Sequence, residues 1–255
     1  MGTNNVAVYL ENVTKEYKLG VLDAASFREE LKLKLGLAGA NTAQLRPTIK
    51  AVDDVSLRID QGERIGLIGK NGAGKSTLLK MICRITEPTT GFIGVNGKIT
   101  SMLEVGAGFH PELTGKENIY LGGSILGLSK ESITERFDEI VDFSGIREFI
   151  DTPVKRYSLG MYARLAFAVS IHLDADIIIL DEILATGDAE FRAMCLKRLK
   201  SIAEEGKKTV LYVSHNMETV KTLCNRCVVM DQGRIVFDGE VTDAEEKYYA
   251  LVEDR

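Results

Sequence analysis

The sequence has few cysteines, no excess of positive charge and no long apolar run. Its cysteines, Cys83, Cys195, Cys224 and Cys227, are scattered through 255 residues, which is typical of a reducing compartment and excludes a disulfide framework. A formal net charge of −5 gives no sign of a general affinity for nucleic acid or for an acidic membrane surface. No stretch approaches the roughly 18 apolar residues of a membrane span. The N-terminus also lacks the basic and apolar pattern of a signal peptide.

Cys224 and Cys227 form a C-x-x-C pair, a spacing found in redox-active pairs and in one half of a zinc site. The chain has no second such pair, and the segment "TLCNRCVVM" runs from a helical pattern into a strand pattern. We therefore predict that both cysteines are small buried apolar side chains.

Strand patterns and helix patterns alternate along the chain. "VAVYLENV" and "AVDDVSLRI" predict strands, and the apolar residues between Phe27 and Leu35 recur at the spacing of a short amphipathic helix. "GFIGVNGKITSML" predicts a further antiparallel pair, and residues 115 to 156 predict helices. The continuous apolar run in "ADIIILDEI" is typical of a parallel strand buried on both faces. This alternation predicts an α/β fold with a parallel core sheet.

A glycine-rich turn lies between a predicted strand and a predicted helix. It fits the pattern G-x-x-x-x-G-K-[ST], in which backbone N–H groups surround phosphate oxygens and the next helix points its positive end at them. Lys75 is expected to neutralise the β- and γ-phosphates, and Ser76 to bind Mg²⁺. The residues of this turn that we expect to contact the nucleotide are Gly69, Asn71, Gly72, Ala73, Gly74, Lys75, Ser76 and Thr77.

Two acids and a histidine follow later strands. Asp181 ends a buried run, where a carboxylate lies beside the phosphate turn and can hold Mg²⁺. Glu182 is then placed to polarise a water aimed at the γ-phosphate, although two acids after a strand also serve as loop caps. His215 follows the strand "TVLYV" and is expected to hydrogen-bond the γ-phosphate. His110 and His172 are interpreted as structural.

Together, and in this order, Gly69–Thr77, Ser158–Met161, Asp181-Glu182, Ala185–Asp188 and His215 resemble the nucleotide-binding subunit of an ABC transporter. The resemblance implies a P-loop NTPase with a RecA-like parallel core sheet, an antiparallel β subdomain and an α-helical signature subdomain. It implies one domain over residues 1–255, without an added carbohydrate-binding domain. The expected parts are the β and core parts 1–105 and 172–240, a helical subdomain of about 106–171 and a C-terminal helix, 241–255.

The resemblance also implies that two subunits meet head to tail with ATP between them. "YSLGM" stands where the family has its L-S-G-G-Q signature, so Ser158 and the backbone of Gly160 would bind the γ-phosphate of the partner's nucleotide. Asp188 ends the loop that crosses the dimer interface. Tyr17 stands where the family has an aromatic ring stacked on adenine, with packing on the core as the alternative.

Several departures from the family pattern are informative. Leu159 replaces a glycine, Met161 a glutamine, and Glu104 the glutamine of most relatives, while Ser158 and Gly160 are retained. Glu104 can still reach Mg²⁺ or the attacking water, but it adds negative charge near the γ-phosphate. The segments "EVGAGFHPELTGKENI", "DTPVKRYS.GMYARLAFAV" and "LDE.LATGD" together resemble one branch of the family. This branch is the ATPases that export lipid-linked polysaccharides such as O-antigen, capsule-type glycans and teichoic acid.

What this resemblance implies is an ATPase subunit that uses ATP and Mg²⁺ as a homodimer. It would drive export of a lipid-linked glycan through two copies of a separate integral-membrane permease, at the cytoplasmic face of the bacterial inner membrane. The permease would dock near Glu104 to Glu117, and the helix Phe27–Leu35 would contact the partner or the membrane, or pack on its own subunit.

Two other classes fit less well. A soluble ABC ATPase acting on DNA or ribosomes usually has two ATPase units or long coiled coils, and often basic patches, whereas this chain is acidic. Nucleic acid is therefore not an expected partner. A P-loop kinase would not need Ser158–Gly160 or His215 at these positions.

Overall fold

The computed structural model describes residues 5–18, 48–101, 106, 108–172, 175–180, 189–214 and 216–253. Its strands are β1 (Val6–Lys18), β2 (Thr48–Asp60), β3 (Arg64–Gly69), β4 (Thr90–Val95), β5 (Ile99–Ser101), β6 (Ile177–Leu180), β7 (Thr209–Val213), β8 (Arg226–Asp231) and β9 (Arg234–Gly239). Its α-helices are α1 (Lys75–Ile82), α2 (Gly115–Ile125), α3 (Lys130–Ser144), α4 (Leu159–Ile171), α5 (Ala189–Glu204), α6 (Met217–Leu223) and α7 (Val241–Glu253). Within these ranges, no helix combines the length and apolar character needed to cross a membrane.

The core sheet has the strand order β5-β6-β7-β3-β8-β9. Neighbours from β5 to β8 are parallel, and β9 is antiparallel to β8. Every residue of β6 and β7 is buried, because both faces of the sheet are covered. Ile177 and Ile179 face one apolar cluster with α1, whereas Ile178 and Leu180 face a second cluster with α5, α6 and α7. The predicted α/β fold with a parallel core sheet is confirmed.

The second sheet is antiparallel, with the order β2-β1-β4. It packs on the first apolar cluster through residues such as Leu10, Val55 and Ile59. The predicted antiparallel pair in "GFIGVNGKITSML" is wrong. β4 pairs with β1 in this sheet, whereas β5 joins the core sheet parallel to β6, because the chain crosses from one sheet to the other at Gly97 (φ 122°).

A helical part lies between β5 and β6 in the chain. α2, α3 and α4 pack around a third apolar cluster that includes Ile119, Ile133, Ile140 and Leu165, all fully buried. Two 3₁₀ turns, Arg147–Phe149 and Val154–Arg156, lead from α3 to α4. The amphipathic helix predicted over residues 27–35 lies outside the described residues.

Cys224 and Cys227 are buried side by side against β3. A Cβ built on Gly66 would lie 3.6 Å from the Sγ of Cys224 and 3.3 Å from that of Cys227. Burial raises the pKa of each thiol to about 12, so neither thiol ionises near neutral pH. The prediction that both are small buried side chains is confirmed.

Candidate functional site

The phosphate loop (residues 69–74) joins the carboxyl end of β3 to α1. Gly74 is the N-cap of α1 with a φ of 100°, and a Cβ there would lie 2.3 Å from the carbonyl oxygen of Ala51. Glycine alone fits both the conformation and the space. Gly72 has a φ of 81°, but a Cβ there would meet no atom within 4 Å, so only the backbone conformation calls for glycine.

The phosphate loop and the start of α1 are positively charged, and the first turn of α1 contains no acidic side chain to offset that charge. Nζ of Lys75 donates to the carbonyl oxygens of Gly69 at 2.6 Å and Lys70 at 2.9 Å, so the ammonium lies across the loop. The first turn of α1 has no acidic residue and no side-chain cap, which leaves its first N–H groups without an intrahelical partner. The arrangement fits the phosphates of a nucleotide. The exposed Ser76 lies in the same turn, where its hydroxyl suits a hard cation such as Mg²⁺.

Two neighbouring elements hold the phosphate loop from outside. The turn between β8 and β9 contributes Gly233, whose N–H donates to the carbonyl of Ala73 at 3.0 Å. Gly233 in turn accepts at 2.9 Å from the N–H of Asp53 on β2. The carboxylate of Asp53 accepts from Lys50 and Arg234, and these hydrogen bonds lower its pKa. The loop is therefore tied to both sheets.

Tyr17 lies near the end of β1, where it pairs with Ile49 of β2. Its side chain is 42% exposed and belongs to none of the apolar clusters, so it does not pack in the core. Nζ of Lys15 lies 5.3 Å from the ring centroid and donates to the carbonyl of Glu87. An exposed ring with a cation over one face suits a flat ligand on the other face.

The signature segment (Ser158–Met161) begins α4. Oγ of Ser158 accepts from the N–H of Met161 at 3.1 Å, an N-cap, and the first turn contains no acidic residue. Leu159 is 79% exposed, and a Cβ on Gly160 would meet only the Oγ of Ser158, at 3.8 Å. This helix end is therefore open, and it suits an anion without any charged side chain.

Five predicted site residues lie outside the described residues: Glu104, Asp181, Glu182, Asp188 and His215. The strands before three of them are described. β6 ends directly before Asp181, and β7 ends one residue before Ser214 and two before His215, while β3 ends at the phosphate loop. These strands are parallel neighbours in the order β6-β7-β3, so their carboxyl ends meet at one edge of the sheet.

Comparison with known proteins identifies the family. Residues 52–185 match the family described as ABC transporter. The chain belongs to the ABC transporter family. Its ATP-binding fold and its class as an ATPase, both implied by the resemblance in the sequence, are confirmed.

Curated relatives of this ABC protein include several proteins named O-antigen export system ATP-binding protein RfbB. One from Klebsiella pneumoniae is 42% identical over 234 residues, which cover 89% of this chain and 91% of that protein. The one from Myxococcus xanthus is 40% identical, covering 95% of this chain and 55% of that protein. The teichoic acids export ATP-binding protein TagH of Lactiplantibacillus plantarum is 39% identical, covering 98% and 66%.

Solved structures share the fold of this ABC protein. A dimeric ATP-binding cassette in a post-hydrolysis state, bound to ADP and Pi, aligns with a TM-score of 0.72 and 24% identity over 92% of this chain and 98% of that chain. The ATP-binding subunit of an ABC transporter aligns with a TM-score of 0.73 and 22% identity, covering 95% and 93%.

Sequence reasoning missed Asn118, which organises the loop before α2. This side chain is fully buried. Its Nδ2 donates to the carbonyls of His110, Leu113 and Thr114, and its Oδ1 accepts from the N–H of His110. A usable signal was present, because Thr114 and Glu117 have the spacing of a capping box and form one.

The loop that Asn118 organises is paired with the segment that leads to Ser158. The carbonyls of Pro111 and Leu113 accept from the N–H groups of Lys155 and Val154. Nζ of Lys155 also lies 2.5 Å from the carboxylate of Glu112. Backbone pairing in this ABC ATPase therefore fixes where α4 begins.

The two histidines interpreted as structural make local contacts. His172 is buried at the end of α4, where its Nδ1 lies 2.7 Å from the carbonyl oxygen of Ala168, and burial lowers its pKa. The exposed His110 accepts from the N–H of Glu112. Both arrangements agree with that interpretation.

Proposed function

We propose that this chain is the ATPase subunit of an exporter of lipid-linked polysaccharide. One observation carries the proposal: the part of the chain that the structure describes contains two open helix ends of different kinds, the lysine-bearing start of α1 and the serine-capped start of α4. Neither has an acid in its first turn. One such end suffices to bind a nucleotide. A second, uncharged one suits the nucleotide of another copy of the chain, so we infer a head-to-tail homodimer.

The phosphate loop is the binding half of each composite site. Lys75 and the N–H groups of the loop would hold the β- and γ-phosphates, and Tyr17 would stack on adenine. Ser76, Asp181 and Glu104 would hold Mg²⁺, which neutralises phosphate charge when bound. The remaining loop contacts would come from the backbone of Gly69, Asn71, Gly72, Ala73 and Gly74 and from Thr77.

Hydrolysis needs groups at the γ-phosphate. Glu182 would orient the attacking water and accept its proton, and His215 would hydrogen-bond the phosphate. Ser158 and the backbone of Gly160 would contact the same phosphate from the partner protomer, and Asp188 would lie in the loop across the interface. Closing the dimer would thus complete the site and exclude water.

The names of the relatives support the proposed cargo and partner. Relatives at 39% to 42% identity are named as ATP-binding proteins of O-antigen and teichoic acid export, which supports a lipid-linked glycan as substrate class. We propose that two copies of a separate integral-membrane permease carry the glycan and hold the dimer at the cytoplasmic face of the bacterial inner membrane. The permease would dock at residues 104–117.

We further propose that residues 1–255 act as one ATP-binding domain. Residues of about 106–171 would be a helical subdomain inserted into β and core parts at 1–105 and 172–240, followed by the helix 241–255. Fully buried Ile119, Ile133 and Ile140 belong to an apolar cluster of the helical part, which supports this division.

The dimer is tested with Glu182→Gln, which should bind ATP without hydrolysing it. We expect light scattering to give about twice the protomer mass with ATP and one protomer mass with ADP. The double variant Glu182→Gln/Lys75→Ala is the control and should stay monomeric. If Glu182→Gln stays monomeric with saturating ATP, both alone and with its permease, the proposal is wrong.

The cargo is tested after a tagged chain is captured from solubilised membranes with its permease. In proteoliposomes, the ATPase rate of the complex should rise when the lipid-linked glycan is added and should not change with the same lipid without its glycan. Equal stimulation by both lipids would contradict a polysaccharide cargo while leaving the ATPase assignment intact.

A further inference from the structure

Arg164 and Phe191 join the signature helix to the start of α5. The guanidinium carbon of Arg164 lies 4.9 Å from the ring centroid of Phe191. Arg164 follows Ser158 by six residues, or about 9 Å along α4 at the usual helical rise. Phe191 lies in the first turn of α5 and is only 4% exposed. A cation over a buried ring is attracted more strongly than one over an exposed ring.

The ring of Phe191 is held in place by aromatic neighbours from two other helices. Phe143 of α3 lies 6.1 Å from it and Phe167 of α4 lies 5.9 Å from it, both in edge contacts with interplanar angles of 69° and 79°. Phe143 also packs edge-on against His172 and stacks on Phe167. Because three helices contribute to this cluster, Phe191 cannot shift without disturbing α3 and α4.

The position of Phe191 in the chain relates its contact with Arg164 to the predicted catalytic residues. α5 begins at Ala189, directly after residues 181–188, which carry Asp181, Glu182 and Asp188. The described residues on either side of this stretch are buried: β6 ends at Leu180, and Phe191 follows in the first turn of α5. Arg164 therefore connects the helix of Ser158 to the end of the stretch that contains both acids.

We propose that Arg164 is a positioning residue for ATP hydrolysis, which acts through Phe191. This inference rests on the proposed head-to-tail dimer. In that dimer, Ser158 of one protomer serves one nucleotide, whereas Asp181 and Glu182 of the same protomer serve the other. The contact between Arg164 and Phe191 would then link the two composite sites within a protomer. When α4 reaches one nucleotide, this contact would help to position Asp181 and Glu182 at the other nucleotide.

The test is a double-mutant cycle on the ATPase rate. Arg164→Met keeps most of the side chain's apolar length and removes the charge, and Phe191→Leu keeps an apolar side chain and removes the ring. We expect each to lower kcat about tenfold, the size of a partly desolvated cation–π contact. The double variant should lose no more than either single one. Phe191→Tyr keeps the ring and should retain kcat within about twofold of the unaltered chain, on the same scale.

Readouts other than rate separate positioning from mere folding. The affinity of the monomer for a fluorescent ATP analogue depends on the phosphate loop and should be unchanged in every variant. The Hill coefficient for ATP should fall towards one in Arg164→Met, because the link between the sites is lost. Arg147→Met is the matched control: Arg147 is an exposed arginine elsewhere in the helical part that pairs with Asp138 and Asp142, and kcat should not change.

Three results would overturn the inference: an unchanged kcat in Arg164→Met, losses that multiply to about a hundredfold in the double variant, or equal losses in Arg147→Met. Should Arg164→Met fail to fold, Arg164→Gln also removes the charge and keeps a polar side chain, and the same cycle applies. A Glu182→Gln chain that stays monomeric with ATP would refute the dimer itself. A dimer whose ATPase rate does not depend on Arg164 would refute only the positioning role.

Discussion

α1 and α4 both begin without an acidic residue in the first turn, yet their N-caps differ. Gly74 caps α1 without a side-chain hydrogen bond. Its φ of 100° and the nearby carbonyl oxygen of Ala51 together allow only glycine at this position. Ser158 caps α4 with its own hydroxyl in ordinary extended geometry. The cap of α1 is a glycine that lies against a distant strand, whereas the N-cap hydrogen bond of α4 is made within its own first turn. The start of α1 therefore suits a preformed nucleotide-binding site. The start of α4 suits an exposed end that reaches the partner's nucleotide only when the proposed dimer closes.

The largest expected effect comes from removing the charge at the start of α1. Lys75→Ala should weaken ATP binding at least about a hundredfold, because a charged group in a site built to hold phosphate is lost. Lys80→Ala is the control, since it removes a lysine from the last turn of the same helix, and should bind ATP normally. Titration of a fluorescent ATP analogue measures both. Equal affinity in Lys75→Ala and the unaltered chain would remove the distinction between the two helix ends.

A bulky residue at the start of α4 should affect hydrolysis and leave binding unchanged. Ser158→Phe should lower kcat about a hundredfold, the usual loss when donors to a developing oxyanion are removed, with unchanged ATP affinity of the monomer. Ser129→Phe is the matched control. Ser129 caps α3 in the same way, by accepting from the N–H of Ser132 at 3.2 Å, and its variant should keep its kcat. A large loss of monomer affinity in Ser158→Phe would contradict contact from the partner.

The glycine cap of α1 should be less tolerant than the glycine beside it. Gly74→Ala should lower the free energy of unfolding by about 2 kcal/mol, since its Cβ meets a backbone oxygen at a φ that costs energy for other residues. Gly72→Ala shares the positive φ but has open space, so we expect about 1 kcal/mol. Urea unfolding compares the two variants, and an equal cost would show that the contact with Ala51 adds nothing.

The smallest expected effect concerns the serine caps themselves. Ser158→Ala and Ser129→Ala should each lower the free energy of unfolding by about 1 kcal/mol, the usual cost of an N-cap. Only Ser158→Ala should also lower the ATPase rate. Thermal unfolding measures the stability of each variant, and steady-state hydrolysis measures its ATPase rate. Equal ATPase rates for the two alanine variants would place Ser158 outside the site.

Local patterns predicted the parts of the molecule that form locally. The phosphate loop follows from eight consecutive residues, and the cap of α4 from Ser158 and the apolar residues behind it. The burial of Cys224 and Cys227 followed from their place between a helix and a strand. The acids and His215 lie outside the described residues, so their roles stay predictions.

Contacts between distant residues could not be predicted in the same way. β4 and β5 are separated by three residues and resemble a hairpin, yet they pair with β1 and β6, which are far from them in the chain. Asn118 directly follows the charged residues Lys116 and Glu117 in the sequence, and its contacts become visible only when the loop that it binds is folded. The sequence around Phe191 likewise gives no indication that a cation from another helix lies over its ring.

The hydrogen bonds of Gly233 have a mechanical consequence. Its N–H holds Ala73 of the phosphate loop, and its carbonyl is held by Asp53 of the other sheet. A nucleotide that displaces the loop would therefore also pull on the turn between β8 and β9 and, through it, on β2.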